Sequence, residues 1–93
     1  MEVLLHEKIV LENGDIIEMR ILRVPQNEIY PEGVRYAVVY IRNRKRLVGY
    51  DNFERKGHHK HLESRELPYL FESVEKLIYD FREDIKKVIG EQI

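Results

Sequence analysis

Three histidines, His58, His59 and His61, stand within four positions of one another, among residues that handle protons and phosphate. The stretch reads Gly49-Tyr-Asp-Asn-Phe-Glu-Arg-Lys-Gly-His-His-Lys-His61. Histidine ordinarily titrates near neutrality, so two of them can take a proton and return one in the same reaction. RNA cleavage without a metal needs a base for the 2′-hydroxyl and an acid for the departing 5′-oxygen. It also needs cations for the charge that builds on the phosphate. His58, His59 and His61 are the acid/base candidates, and Asp51 orients one of them by accepting a hydrogen bond from its ring N–H. Arg55, Lys56 and Lys60 are the phosphate contacts, Gly57 admits close backbone approach, and Tyr50 offers a ring to stack on a base.

Two other chemistries compete for the same residues. His59 and His61 share a side if the segment is extended, while His58 and His61 approach across a turn. Either pair, with Asp51, supplies three metal ligands. The spacing is not diagnostic, and Arg55, Lys56 and Lys60 would repel a divalent cation, so neither metal nor cofactor is expected. The plainest alternative is a solvated loop whose histidines do no chemistry. His6 stands apart and reads as a surface strand residue.

Charge sets this segment off from the rest of the chain. Residues 42–61 hold seven basic side chains against two acidic ones, a net +5; the remainder holds nine against fifteen, a net −6. A basic centre on an acidic body turns toward an anionic partner such as RNA, DNA or an acidic peptide. With 93 residues, 43% hydrophobic and 35% charged, the composition is that of one globular domain, 1–93, with a single modest core. There is no cysteine, which excludes disulfides and thiolate metal sites and fits a cytoplasmic location. No apolar run approaches the ~20 residues that span a membrane, so no membrane partner is expected, and the opening Met1-Glu-Val-Leu-Leu-His-Glu lacks the basic start of a signal peptide.

The elements that position these residues follow from periodicity. Val3 to Leu11 and Ile16 to Val24 predict a hairpin around a three-residue loop, Glu12-Asn13-Gly14, with Gly14 left-handed. That loop sets Leu5 opposite Ile21, Ile9 opposite Ile17 and Lys8 opposite Glu18. Val34 to Ile41 predicts the strongest strand, returned by an Asn43-Arg44 turn through Lys45 to Tyr50. Strict alternation then puts Tyr36, Val38, Tyr40 and Leu47 on one side and Ala37, Val39, Ile41 and Val48 on the other. Asp51 to Pro68 lacks sustained periodicity, as a functional or mobile segment would. Ser73 caps a helix with Val74, Leu77, Ile78, Phe81, Ile85, Val88 and Ile89 on its apolar face; Asp80, Glu83, Asp84 and Lys87 sit on its polar face, and Gly90 suits its end. The expected fold is α+β: an antiparallel sheet of about four strands, in two hairpins, with the amphipathic helix on one face. Both faces of the second hairpin are fairly apolar, which favours a homodimer or burial by a partner.

Three segments resemble the TumE family of type II toxins. They are His6-Glu-Lys-Ile-Val-Leu-Glu-Asn-Gly-Asp-Ile-Ile-Glu-Met-Arg20, Tyr50-Asp-Asn with Lys56-Gly-His-His-Lys-His61, and Glu66-Leu-Pro-Tyr-Leu-Phe-Glu-Ser73 with Asp80-Phe81. The resemblance runs over nearly the whole chain. It implies functional weight on Tyr50, Asp51, Asn52, Lys56, Gly57, His58, His59 and His61, and a cognate antitoxin of the DNA-binding kind as partner. Ribonuclease activity, with RNA as substrate, is the expectation from the residues themselves. A non-enzymatic module that grips nucleic acid or antitoxin, and a metal-dependent nuclease, are the alternatives.

Overall fold

Alternation and turn chemistry build the first hairpin in the register that the sequence predicts. In the computed structural model, which describes residues 1–53 and 57–90, β1 (Glu2–Val10) pairs antiparallel with β2 (Ile16–Arg23). Leu5 faces Ile21, Ile9 faces Ile17 and Lys8 faces Glu18. Gly14 closes the loop at φ 91°, its N–H donating to the Leu11 carbonyl at 2.9 Å. A side chain there would force the left-handed region on an L-residue, which glycine enters without cost from a Cβ.

β3 (Val34–Arg42) and β4 (Lys45–Asp51) form the second hairpin across Asn43 and Arg44, both left-handed at φ 52° and 65°. That is the conformation a two-residue hairpin turn requires at its two central positions. The faces of β4 differ from strict alternation. The register shifts between Tyr40 and Ile41, so Ile41 faces Arg46 but Tyr40 faces Val48, leaving Leu47 as the extra residue of a bulge. Val48 therefore joins Tyr36, Val38 and Tyr40 in the core, and Leu47 does not take its place there.

The segment expected to be irregular folds into two more strands, which corrects the count from about four to six. β5 (His59–Leu62) pairs with β4, and β6 (Arg65–Pro68) pairs with β5 through a tight turn at Glu63 and Ser64. The Glu63 N–H donates to the Leu47 carbonyl at 2.9 Å, so the bulge anchors that turn. Strand order is β1-β2-β3-β4-β5-β6, every neighbour antiparallel. Pro68 ends the edge strand, where its missing N–H costs no ladder bond.

α1 (Val74–Gly90) begins at Ser73, whose Oγ accepts from the Lys76 N–H at 3.1 Å. Leu77, Phe81 and Ile85 pack onto Ile21, Tyr36, Val38, Tyr40, Val48 and Tyr50, all on one face of the sheet. Asp84, expected on the polar face, is buried instead. It follows Leu77 by seven residues and Phe81 by three, inside the apolar stripe, and the Tyr50 hydroxyl donates to it. On the polar face Glu83 pairs with Lys86 at 3.0 Å.

Candidate functional site

The alternation of β4 and β5 sorts the histidine segment onto two faces. Tyr50 and Lys60 face each other on the helix side. Asp51 opposite His59, and Gly49 opposite His61, occupy the face that turns away from α1. Glu66, opposite His61 on β6, joins them there. His59 and His61 thus share a side because the chain is extended between them, one of the two arrangements the spacing allowed.

The geometry centres on Asp51. Its Oδ1 lies 3.0 Å from His59 Nε2, and its Oδ2 lies 3.6 Å from His61 Nε2. Glu66 Oε1 comes within 3.5 Å of the same His59 nitrogen. The two imidazoles meet edge to face, with centroids 5.0 Å apart. His59 Nδ1 lies 3.1 Å from the Gly57 carbonyl, so both nitrogens of this ring face oxygens that only accept. That arrangement is satisfied by a doubly protonated ring, or by a cation between Nε2 and the carboxylates. The His61 Nε2 stands 3.6 Å from Asp51, just beyond hydrogen-bond reach. Burial lowers the His61 pKa below the usual imidazole value; the charge of Arg46 adds to the drop, and Asp51 opposes it. The side chains of His59, His61 and Asp51 keep 10%, 15% and 19% of their surface, so the cluster is shielded yet reachable.

Arg46, which its place in the sequence does not single out as a contact residue, borders this cluster. The bulge at Leu47 puts Arg46 opposite Ile41 and on the same face as Gly49, three residues on, where unbroken alternation would separate the two. Its side chain lies across Gly49 so closely that a Cβ there would stand 2.7 Å from the Arg46 Cδ. The guanidinium therefore runs along the sheet toward His61. The signal in the sequence was glycine inside a strand, which marks close approach of another group.

The remaining expected site residues lie elsewhere. His58 belongs to a different structure: its Nδ1 lies 2.9 Å from the Tyr36 hydroxyl and its Nε2 lies 2.9 Å from Glu32. A neutral ring meets both, accepting from the hydroxyl and donating to the carboxylate, while Phe71 stacks on it at 4.7 Å. Burial raises the Tyr36 pKa, which keeps that hydroxyl a donor. Lys60 turns to the helix side and pairs with Asp84 at 3.3 Å, its ammonium 5.6 Å from the Tyr50 ring centroid. Tyr50 is buried in the core. Asn52 is a buried clamp, accepting from the Tyr36 N–H at 2.9 Å and donating to the Val34 carbonyl at 2.7 Å. Gly57, at φ 73°, is exposed and shares with His58 and Asn52 a cleft of about 310 Å³. Arg55 and Lys56 lie outside the described residues.

Comparison with known proteins gives one finding. A family model described as "Toxin TumE" matches residues 2–89. No curated protein and no solved structure matches.

Proposed function

The chain belongs to the TumE toxin family, and on that premise we propose that it is the toxin of a type II pair, held in check by a cognate antitoxin and acting by cleaving RNA. The observation that carries the cleavage reading is one carboxylate, Asp51, set between two imidazoles on the sheet face opposite the helix. His61 takes the proton of a ribose 2′-hydroxyl, and the freed 2′-oxygen attacks the adjacent phosphorus. The bond from phosphorus to the 5′-oxygen breaks as His59, protonated on Nε2, gives that oxygen its proton. The products are a 2′,3′-cyclic phosphate and a 5′-hydroxyl end. Asp51 and Glu66 keep the His59 ring aimed, and Arg46 meets the phosphate.

The test is RNA degradation by purified protein in the presence of chelator. His59→Ala and His61→Ala are each expected to slow cleavage by about a hundredfold or more, the range of a lost proton-transfer group. Full cleavage by both variants overturns the assignment. RNA binding that weakens with salt, without any cut, would instead mark a toxin that only grips its target. His58→Ala separates site from scaffold. It leaves the buried Tyr36 hydroxyl unpaired, so it is expected to cost about 1–3 kcal/mol of stability while cleavage continues below the melting temperature.

A further inference from the structure

We propose that Asp51, His59 and His61 form a site for one zinc-type divalent cation, and that the bound cation silences the site by occupying the nitrogens that would carry protons. The silencing half rests on the cleavage reading above; the binding half does not.

The donor set stands as such a site requires. One donor atom from each of the three residues lies within 4.8 Å of the others. The separations are 3.0 Å from His59 Nε2 to Asp51 Oδ1 and 3.6 Å from His61 Nε2 to Asp51 Oδ2. A tetrahedron with bonds of 2.0–2.1 Å has edges of about 3.3 Å, a spacing that the two imidazole–carboxylate separations bracket. Glu66, 3.5 Å from His59 Nε2, adds a second carboxylate beside that nitrogen. The His59 ring is already turned to bind through Nε2. Its Nδ1–H donates to the Gly57 carbonyl at 3.1 Å, the outer contact that fixes the tautomer of a metal-binding histidine. Two carboxylates crowd one ring nitrogen, and a divalent charge answers them both.

The objection from neighbouring cations weakens in three dimensions. Lys60, adjacent to both histidines in sequence, leaves through the other face of the sheet to Asp84. Arg46 is the described cation that flanks the site, along Gly49. Imidazole with carboxylate selects zinc over magnesium, which prefers an all-oxygen shell.

The closing experiment titrates zinc into the metal-free full chain by calorimetry, then measures RNA cleavage with zinc and again after chelation. Wild type is expected to take up one equivalent. His61→Gln and Asp51→Asn should weaken uptake at least tenfold, and His6→Gln should leave it unchanged. Cooperative melting of each variant checks its fold, and either site variant alone decides the point. Equal zinc affinity in wild type and His61→Gln, or no uptake, overturns the site. Uptake with cleavage unchanged or raised overturns the silencing. Uptake by a protein that cuts no RNA under any condition retains the site and removes the cleavage reading, and with it the silencing.

Discussion

Single side chains on this sheet are placed by what their neighbours lack. Arg46 reaches the His61 flank because Gly49 has no Cβ to stop it. Gly49→Ala is therefore expected to push Arg46 away, changing stability by no more than about 1 kcal/mol. On the proposed function, RNA binding is then expected to weaken, and Arg46→Gln to do the same, the loss of one phosphate contact lowering the salt dependence by about one unit of slope. Equal salt slopes in wild type and both variants would remove Arg46 from the interface. Asp15 is a different case: buried, and held by Arg42 at 2.8 Å, by the Tyr40 hydroxyl and by Asn13, with the Arg42 contact foremost in lowering its pKa to about 2. Its folded pKa lies below the unfolded value of about 3.9, so its contribution is complete above that pH and is lost as pH falls toward 2. Melting temperature against pH should drop across this window in wild type, and drop less in Asp15→Asn. That His59 and His61 share a side was legible in the sequence, because alternate positions of one strand need only an extended chain; Asp51 joins them from β4 only through the β4–β5 pairing. That His58 would pair with Tyr36 and Glu32, across 22 and 26 residues, was not written in local spacing.

Elements with strong signals formed where their patterns put them. β1 to β4 and α1 have apolar alternation, glycine or asparagine in the turns, and a serine cap. The β5–β6 hairpin has none of these. Its strands are four residues each, His-Lys-His-Leu and Arg-Glu-Leu-Pro, and its turn is Glu-Ser. It exists because β4 offers a free edge and because the Leu47 carbonyl catches the Glu63 N–H, tertiary causes that no window of sequence contains. Glu63 is left-handed at φ 56°, a conformation that costs an ordinary residue about 1–2 kcal/mol. Glu63→Asn, a residue at ease there, is expected to raise stability by about 0.5–1 kcal/mol in denaturant unfolding. No gain would mean that the glutamate side chain makes up the difference. The bulge left no mark in local spacing because the Asn43-Arg44 turn, taken alone, predicts unbroken pairing. For α1, Phe81→Ala should cost about 3–5 kcal/mol, since that ring is 1% exposed against Tyr50 and its neighbours.

The molecule as a whole gives its two sheet faces different duties: one closes the core against α1, the other carries Asp51, His59, His61 and Arg46. Residues 49–51 show the division within three positions, with Tyr50 committed to the core between Gly49 and Asp51 on the opposite side. Core tyrosines also set the alkaline limit. Burial raises the pKa of Tyr36, Tyr50 and Tyr69, so their protonated forms favour the fold. Their contribution is intact below about pH 10 and is lost as pH climbs past it. In a Tyr30→Phe, Tyr79→Phe background, which removes the tyrosines outside the core, tyrosinate absorbance is expected to appear together with unfolding, and ionisation before unfolding would contradict the burial. Among the described residues, no helix is long and apolar enough to cross a membrane. The division of labour has a further consequence for a protein of this family while it is being made. Every residue proposed for chemistry is translated before the first residue of α1 is added, yet the strands that hold them have only bare apolar surface behind them until that helix arrives. An unfinished chain is therefore expected to be harmless to the cell that makes it. A stop codon anywhere before Val74 should yield a product that leaves growth untouched, and the last stretch translated is what arms the first.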